Sequence, residues 1–266
     1  MIEVRVEAGD DPQLSDYTGL RDPARRSRLE ADGGFFVAEG LFVIERLLGS
    51  GLTVRSVLVT PSRLERLRAA LGERPITVFV AERDVMEQVV GFDIHRGALA
   101  SADRPAPVDL TAAIGGVRLV AALEGLNDHE NIGSIFRSAA ALGVGAVLLD
   151  GTCADPWYRR SVRVSMGTVL DLPICRQPVL APALAGLKAA GFRLVGLGLG
   201  PESVPLVSVE PGPATVVVLG AEGPGLSARS LASVDVVAKI PMARSVDSLN
   251  VGHAAAIAFH HFNSAG

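Results

Sequence analysis

Three short stretches combine polar side chains with glycines in the way reactive loops do. The first is Asn131 to Arg137 (NIGSIFR), where Arg137 projects from an otherwise apolar helical run one turn after Gly133. The second is Val216 to Ser227 (VVVLGAEGPGLS), in which Glu222 sits among Gly220, Gly223, Pro224 and Gly225. Glycines at a strand end permit close backbone approach and positive φ. The third runs from Ile240 to His260. An apolar run ends at Ile240, the chain turns at Pro241, and a helix is expected to start near Ser248. Asp247 and Ser248 are N-cap types, and Asn250 is expected in the first turn. Backbone N–H groups at a helix start lack an intrahelical partner, so such a junction can receive a polar ligand.

The plain alternatives are a surface arginine, a glycine-rich turn and an ordinary closing helix. Other chemistries find no support. The chain has no HExxH, no P-loop, no G-x-S-x-G and no acidic cluster for a metal. The second stretch is spaced GxxGxG, which fails the dinucleotide fingerprint. Gly196 to Gly200 (GLGLG) fails too, because Pro201 and Pro205 follow it in place of a helix. His253 is expected to be packed rather than catalytic, and His95-Arg96 reads as a loop.

The elements that must carry these loops fall into two groups. Residues 1–34 are polar and hold the cluster RDPARRSR. Strands at 35–38, 56–60, 76–80 and 97–101 then alternate with helices at 41–48, 62–71 and 82–90, which indicates a small α/β unit. Residues 102–116, rich in Pro, Ala and Gly, read as a linker with a helical turn near Leu110. The expected domains are therefore 1–101 and 117–266. In the second, the apolar run Val117 to Leu123 is of parallel-strand type. A helix follows from about Ile132 to Leu142, with strands at 146–150, 170–174, 192–197, 215–219 and 234–240, and helices at 182–190 and 227–233. A mostly parallel sheet of about six strands results, with its ligand site beyond the strand C-terminal ends.

Composition narrows the class. A chain of 266 residues with 48 % hydrophobic and 20 % charged residues is globular. No apolar run approaches the ~18 residues of a membrane span, and MIEVRVEAGDDPQ is no signal peptide. Cys153 and Cys175, with no CxxC or Cys/His cluster, suggest neither a metal site nor a disulfide scaffold and fit a reduced cytoplasmic compartment. A net charge of −4 argues against indiscriminate nucleic-acid coating. Yet all basic residues except Lys188 and Lys239 are Arg, whose planar fork suits phosphate. They cluster at Arg21 to Arg28 and at Arg159, Arg160 and Arg163.

Together the motifs Asn131-x-Gly133-x-x-x-Arg137, Leu219-Gly220-x-Glu222-Gly223-x-Gly225-Leu226, and Ile240-Pro241-Met242 with Ser248-Leu249-Asn250-Val251 resemble those of the SpoU branch of the SPOUT RNA methyltransferases. The likeness covers about residues 117–262, including ADPWYRRSVRVSMG with Arg163, Ser165 and Gly167. FFVAEG and GALASADRP resemble the L30e-like substrate-binding domain fused to many of these enzymes. Two positions depart from the usual pattern: Arg244 stands where Gly is usual, and Gly252 where Ser is common.

The resemblance implies an α/β fold whose C-terminal part is tied in a trefoil knot, and a homodimer without a metal. It implies bound S-adenosylmethionine, with Leu219, Gly220, Gly223, Ile240, Met242 and Leu249 at the cofactor. It further implies 2′-O-methylation of RNA ribose by Arg137, oriented by Asn131, Glu222, Ser248 and Asn250. The expected phosphate contacts are Arg25, Arg26, Arg28, Arg159, Arg160 and Arg163. Ribosomal RNA is the favoured substrate; tRNA and a catalytically inactive RNA-binding assembly factor are the rivals.

Overall fold

The computed structural model describes residues 1–94, 97–243 and 247–263, with the backbone alone at Pro23 and Ala24. It divides into two compact units, 1–106 with 157–170, and 107–156 with 171–266. The segment 157–170, which the sequence groups with the second domain, thus packs with the first.

The first unit contains β1 (Ile2–Val6), α1 (Pro23–Asp32), β2 (Phe35–Glu39), α2 (Leu41–Gly49), β3 (Val54–Val59), α3 (Pro61–Leu71), β4 (Thr77–Ala81), α4 (Arg83–Val90) and β5 (Ala98–Asp103). Its sheet runs in the order β1-β4-β3-β5-β2. β1, β3 and β4 are parallel, and β5 is antiparallel to both β2 and β3. The first 34 residues are no polar arm. β1 forms a sheet edge, and Leu14 and Tyr17 enter the core beside Phe35, Phe79 and Met86. The Tyr17 hydroxyl is hydrogen-bonded to Ser56 Oγ (2.7 Å) and accepts from the Ser101 N–H (3.2 Å).

The second unit holds α5 (Leu110–Ala113), β6 (Leu119–Leu123), α6 (His129–Ala141) and β7 (Ala146–Asp150). After α7 (Arg159–Val164), which belongs to the first unit, come β8 (Ile174–Gln177), α8 (Leu180–Ala189), β9 (Arg193–Leu197), β10 (Val204–Pro205), β11 (Thr215–Leu219), α9 (Ala228–Ser233), β12 (Val236–Lys239) and α10 (Val251–Asn263). The sheet is all-parallel, with seven strands in the order β10-β12-β9-β11-β6-β7-β8. LVAAL of β6 and TVVVL of β11 are buried throughout, as central strands covered on both faces require.

Three expected boundaries shift. The strand expected at 170–174 is a 3-10 turn at Thr168–Asp171, and pairing resumes only at Ile174, after Pro173. Met166 and Gly167, at φ 56° and 79°, turn the chain there. α6 starts earlier than expected because Asp128 caps it, accepting from the N–H groups of Glu130 (2.6 Å) and Asn131 (3.0 Å). α10 starts later, at Val251. Its cap is Asn250, whose Oδ1 accepts the Gly252 N–H at 2.9 Å, and not Asp247 or Ser248.

Candidate functional site

Between β6 and β11 the chain order of the parallel sheet reverses, the place where open α/β sheets bind ligands. A cavity of about 750 Å³ opens beside it, at the C-terminal ends of β9, β11 and β12 and the start of α10. That volume lies within the usual range for small-molecule sites. Its wall includes all six residues expected at a cofactor: Leu219, Gly220, Gly223, Ile240, Met242 and Leu249. Leu197, Gly198 and Leu199 also line it. Sequence reasoning missed them because GLGLG was tested only against a dinucleotide pattern; its position at the end of an apolar strand was the available signal.

The β11 loop is tight for a backbone reason. A Cβ on Gly220 would lie 2.3 Å from the carbonyl carbon of Gly225 and 2.4 Å from the Leu226 nitrogen. Gly223 and Gly225 have φ of 87° and 72°, which only glycine adopts readily. The far end of the loop is tied to the strand end of β6. Glu124 accepts from the Ser227 N–H (2.9 Å) and from the hydroxyls of Ser227 (2.8 Å) and Ser230 (2.7 Å).

At the cavity rim the three sequence motifs meet. Asn250 Nδ2 donates to Asn131 Oδ1 (2.7 Å) and to Glu222 Oε1 (3.0 Å), while Asn131 Nδ2 donates to the same Glu222 oxygen (3.1 Å). Glu222 therefore acts as an acceptor, held by two amides from α6 and from the cap of α10. Ser248 lines the cavity without joining this network. Gly252 accounts for one departure from the family pattern: a Cβ there would lie 2.7 Å from Ser134 Oγ of α6, so α10 packs closely on that helix. Arg244 lies outside the described residues, as do His95 and Arg96. Arg137 is exposed on α6 and makes no hydrogen bond or ion pair among the described residues.

The profile of the SpoU rRNA Methylase family matches residues 118–260. The chain belongs to the SpoU family. An uncharacterized tRNA/rRNA methyltransferase of Mycobacterium tuberculosis is 43 % identical over 97 % of this chain and 90 % of its own. The 23S rRNA (guanosine-2′-O-)-methyltransferase RlmB of Acinetobacter baylyi is 30 % identical, over 74 % of this chain and 82 % of its own. Among solved structures, the SpoU methyltransferase AviRb of Streptomyces viridochromogenes, in complex with the cofactor AdoMet, superposes with a TM-score of 0.78. It is 26 % identical, covering 96 % of this chain and 98 % of that one.

The basic residues of this SpoU protein divide differently from expectation. Arg26 is not a phosphate contact. It is 1 % exposed, paired with Glu30 at 2.7 Å, bonded to the Thr18 carbonyl at 3.1 Å, and stacked 5.1 Å from the Phe35 ring centroid. Arg159 and Arg163 both hold the buried carboxylate of Glu39, Arg163 at 3.3 Å, so their charge is partly committed within the fold. Arg25, Arg28 and Arg160 are exposed. No described helix is long and apolar enough to cross a membrane.

Proposed function

We propose that this SpoU protein is an S-adenosylmethionine-dependent RNA 2′-O-ribose methyltransferase acting on ribosomal RNA. The observation that carries the reading is the convergence of Asn131, Glu222 and Asn250 at the rim of the cavity, with Arg137 exposed on the same helix as Asn131. The cavity suits S-adenosylmethionine. Leu197, Leu199, Leu219, Ile240, Met242 and Leu249 offer apolar walls for an aromatic base, and Glu222 and Asp247 offer negative charge for a cationic sulfonium. When bound, that cofactor supplies a methyl group on sulfur for in-line transfer.

The residues of the chain then have three tasks. Ile240, Met242 and Leu249 exclude water from one side of the reacting centre. Glu222, fixed by the two amides, holds the β11 loop at the height of the α10 cap. Arg137 clamps the phosphate beside the target ribose with its fork within reach of the hydroxyl, whose proton passes to solvent water as its oxygen takes the methyl group. A guanidinium stays protonated in proteins, so the clamp lowers the cost of the developing alkoxide without being the free base. The 2′-hydroxyl occurs in RNA alone, which sets the substrate class. The rRNA substrate named for RlmB favours ribosomal RNA over tRNA and a cytoplasmic reaction.

The reading extends to the L30e-like nature of the first unit, to the knot and to the homodimer. The knot is supported by α10 returning to pack on α6 and β11 after β12, although β9 separates β12 from β11. The homodimer is supported by His253, Ile257 and His260, exposed at i, i+4 and i+7 on α10. Titration calorimetry with S-adenosylmethionine, followed by mapping of 2′-O-methyl sites in RNA from cells with and without the gene, tests the assignment. Expected are saturable cofactor binding and one rRNA nucleotide whose methylation disappears with the gene and is not restored by Arg137→Ala. A lost mark in tRNA overturns the substrate, and the absence of cofactor binding overturns the activity.

A further inference from the structure

One carboxylate of the second unit is bonded beyond its own loop. Asp150 ends β7, is 7 % exposed, and does not line the cavity. Its Oδ1 accepts from the N–H groups of Thr152 (3.0 Å) and Cys153 (2.8 Å), and the Thr152 hydroxyl lies 3.0 Å and 2.8 Å from its two oxygens. Those bonds close the turn that follows β7. A further bond, from the Gly125 N–H, reaches the loop after β6 and does nothing for that turn. Burial alone would raise the Asp150 carboxyl, but the bonds from Thr152, Cys153 and Gly125 outweigh it and hold the group below the usual carboxylate range. The side chain is therefore an anion fixed by donors from two loops.

The loop it grips lies between the cavity and the helix that carries Asn131 and Arg137. Cys153 Sγ donates to the Leu123 carbonyl at 3.3 Å, and the Ala154 N–H donates to the Leu126 carbonyl at 2.8 Å. With the Gly125 bond, the β7 turn thus holds Leu123, Gly125 and Leu126 together. On the other side, the Glu124 N–H donates to the Leu219 carbonyl at 2.9 Å. A Cβ on Gly125 would lie 3.3 Å from the Cβ of Ala221, which lines the cavity. Gly125 has a φ of 69°, a conformation that favours glycine and lets the backbone sit close to Ala221. Leu126 is buried, and Asp128 then caps α6 through the N–H groups of Glu130 and Asn131. A shift of Gly125 therefore moves the start of α6, and with it Asn131, relative to Glu222 and Asn250.

We propose that Asp150 is a positioning residue for methyl transfer: it holds the β6–α6 loop against Ala221 and so sets the place of Asn131 in the network with Glu222 and Asn250. The proposal rests on the methyltransferase reading above and adds a residue that belongs to none of the three motif loops. Asp150 touches no reacting group and acts through Gly125. Such placement bears on rate more than on binding, since a displacement of ~1 Å at a reacting centre can cost roughly a hundredfold.

Three variants of the full chain test this. Asp150→Ala releases Gly125 and the β7 turn together. Gly125→Ala strains the β6–α6 loop and crowds Ala221 while leaving the Asp150 carboxylate in place, so it carries the test if Asp150→Ala fails to fold. Thr152→Val removes a hydroxyl from the β7 turn alone. The readouts are the side-chain amide signals of Asn131 and Asn250 in heteronuclear NMR spectra, and single-turnover methyl transfer at saturating S-adenosylmethionine and RNA. Asp150→Ala and Gly125→Ala are expected to shift the amide signals of both residues and to slow transfer by about tenfold to a hundredfold. Asp150→Ala should keep S-adenosylmethionine affinity, read by calorimetry, close to wild type. Thr152→Val should leave signals and rate at wild-type values and lower only the melting temperature. Unmoved Asn131 signals in the two alanine variants overturn the proposal, as does a Thr152→Val protein that loses as much turnover as Asp150→Ala. Shifted signals in a chain whose wild type binds S-adenosylmethionine but transfers no methyl group would instead overturn the methyltransferase reading, with the hold of Asp150 on Asn131 upheld.

Discussion

Asn250 donates its amide to Asn131 Oδ1 across 2.7 Å while its own Oδ1 accepts the Gly252 N–H at 2.9 Å. One side chain thus caps α10 and joins that helix to α6 and to Glu222. The cap also settles which way the amide faces, because only the oxygen can accept from Gly252 and the nitrogen must then point to the other two residues.

Those two tasks separate by substitution. Asn250→Asp keeps a capping oxygen but replaces the donor with a carboxylate at the distance where Asn250 now meets Glu222, 3.0 Å. The cap itself should be kept, since Asp and Asn cap about equally well. The repulsion between two adjacent carboxylates should lower stability at neutral pH, a loss that shrinks in acid as one of them takes a proton. Methyl transfer should fall by about a hundredfold or more, in line with losing a preorganised donor. Asn250→Ala loses both tasks and should also cost about 0.5–2 kcal/mol of stability. Urea melts and single-turnover rates on the same preparations check both. An Asn250→Asp enzyme with wild-type turnover would remove the network from the mechanism.

Gly220 is needed for contact rather than for its φ. Since its Cβ would sit 2.3–2.5 Å from backbone atoms of Gly225 and Leu226, no rotamer change can make room. Gly220→Ala must displace the β11 loop and with it the cavity wall. The expected result is loss of measurable S-adenosylmethionine binding in calorimetry, with the protein still folded by circular dichroism. Glu124→Ala, which releases the other end of the loop at Ser227 and Ser230, should weaken the same binding less. A Gly220→Ala protein with wild-type affinity would show that the loop is not part of the cofactor site.

Much of this was legible in the sequence because it is local or periodic. The apolar strands and the alternating elements of the first unit follow from spacing. Spacing also singles out the three loops, while the grouping of Asn131, Glu222 and Asn250 in one site came from the resemblance of their motifs to the SpoU pattern. What was not legible depends on partners far away in the chain. Three cap-type residues, Asp247, Ser248 and Asn250, compete for one helix start, and the winner is set by contact with Asn131, 119 residues earlier. Arg26 looks like its neighbours in a basic run. Its burial becomes visible only when Phe35 folds beneath it and Thr18 turns a carbonyl toward it. Likewise nothing around Arg159 and Arg163 announces Glu39, more than a hundred residues away.

The two cysteines give a pH prediction. Burial pushes the Cys153 thiol up to about 12, and burial also raises Cys175. In the unfolded chain both titrate near the ordinary value of 9.0. A raised folded value means that this contribution to stability is fully present below about pH 9 and is lost as pH climbs toward 12. At pH 8.5 iodoacetamide should therefore leave the native protein unmodified for hours and alkylate both thiols within minutes in urea. Mass spectrometry after a timed quench checks it. Alkylation of native Cys153 at the rate of a free thiol would contradict its burial.

The arginines of α1 make the sharpest contrast between a surface charge and a buried one. Arg25 and Arg28 are exposed, and Arg26 between them is locked to Glu30. If the two exposed side chains meet phosphates, each contributes about 0.7–0.9 to the slope of log affinity against log salt. Arg25→Gln with Arg28→Gln should then flatten the slope for an rRNA fragment by roughly one and a half units, and weaken binding evenly across sequences. Cofactor affinity should stay the same. Arg26→Gln should behave in the opposite way. Removing one partner of a buried pair costs about 3–5 kcal/mol, so the first unit should melt at lower temperature, while the salt slope of the protein that remains folded is unchanged. Fluorescence anisotropy at four salt concentrations, with a thermal melt for each variant, measures both. A double mutant with the wild-type slope would move the RNA path off α1 and toward the exposed Arg160.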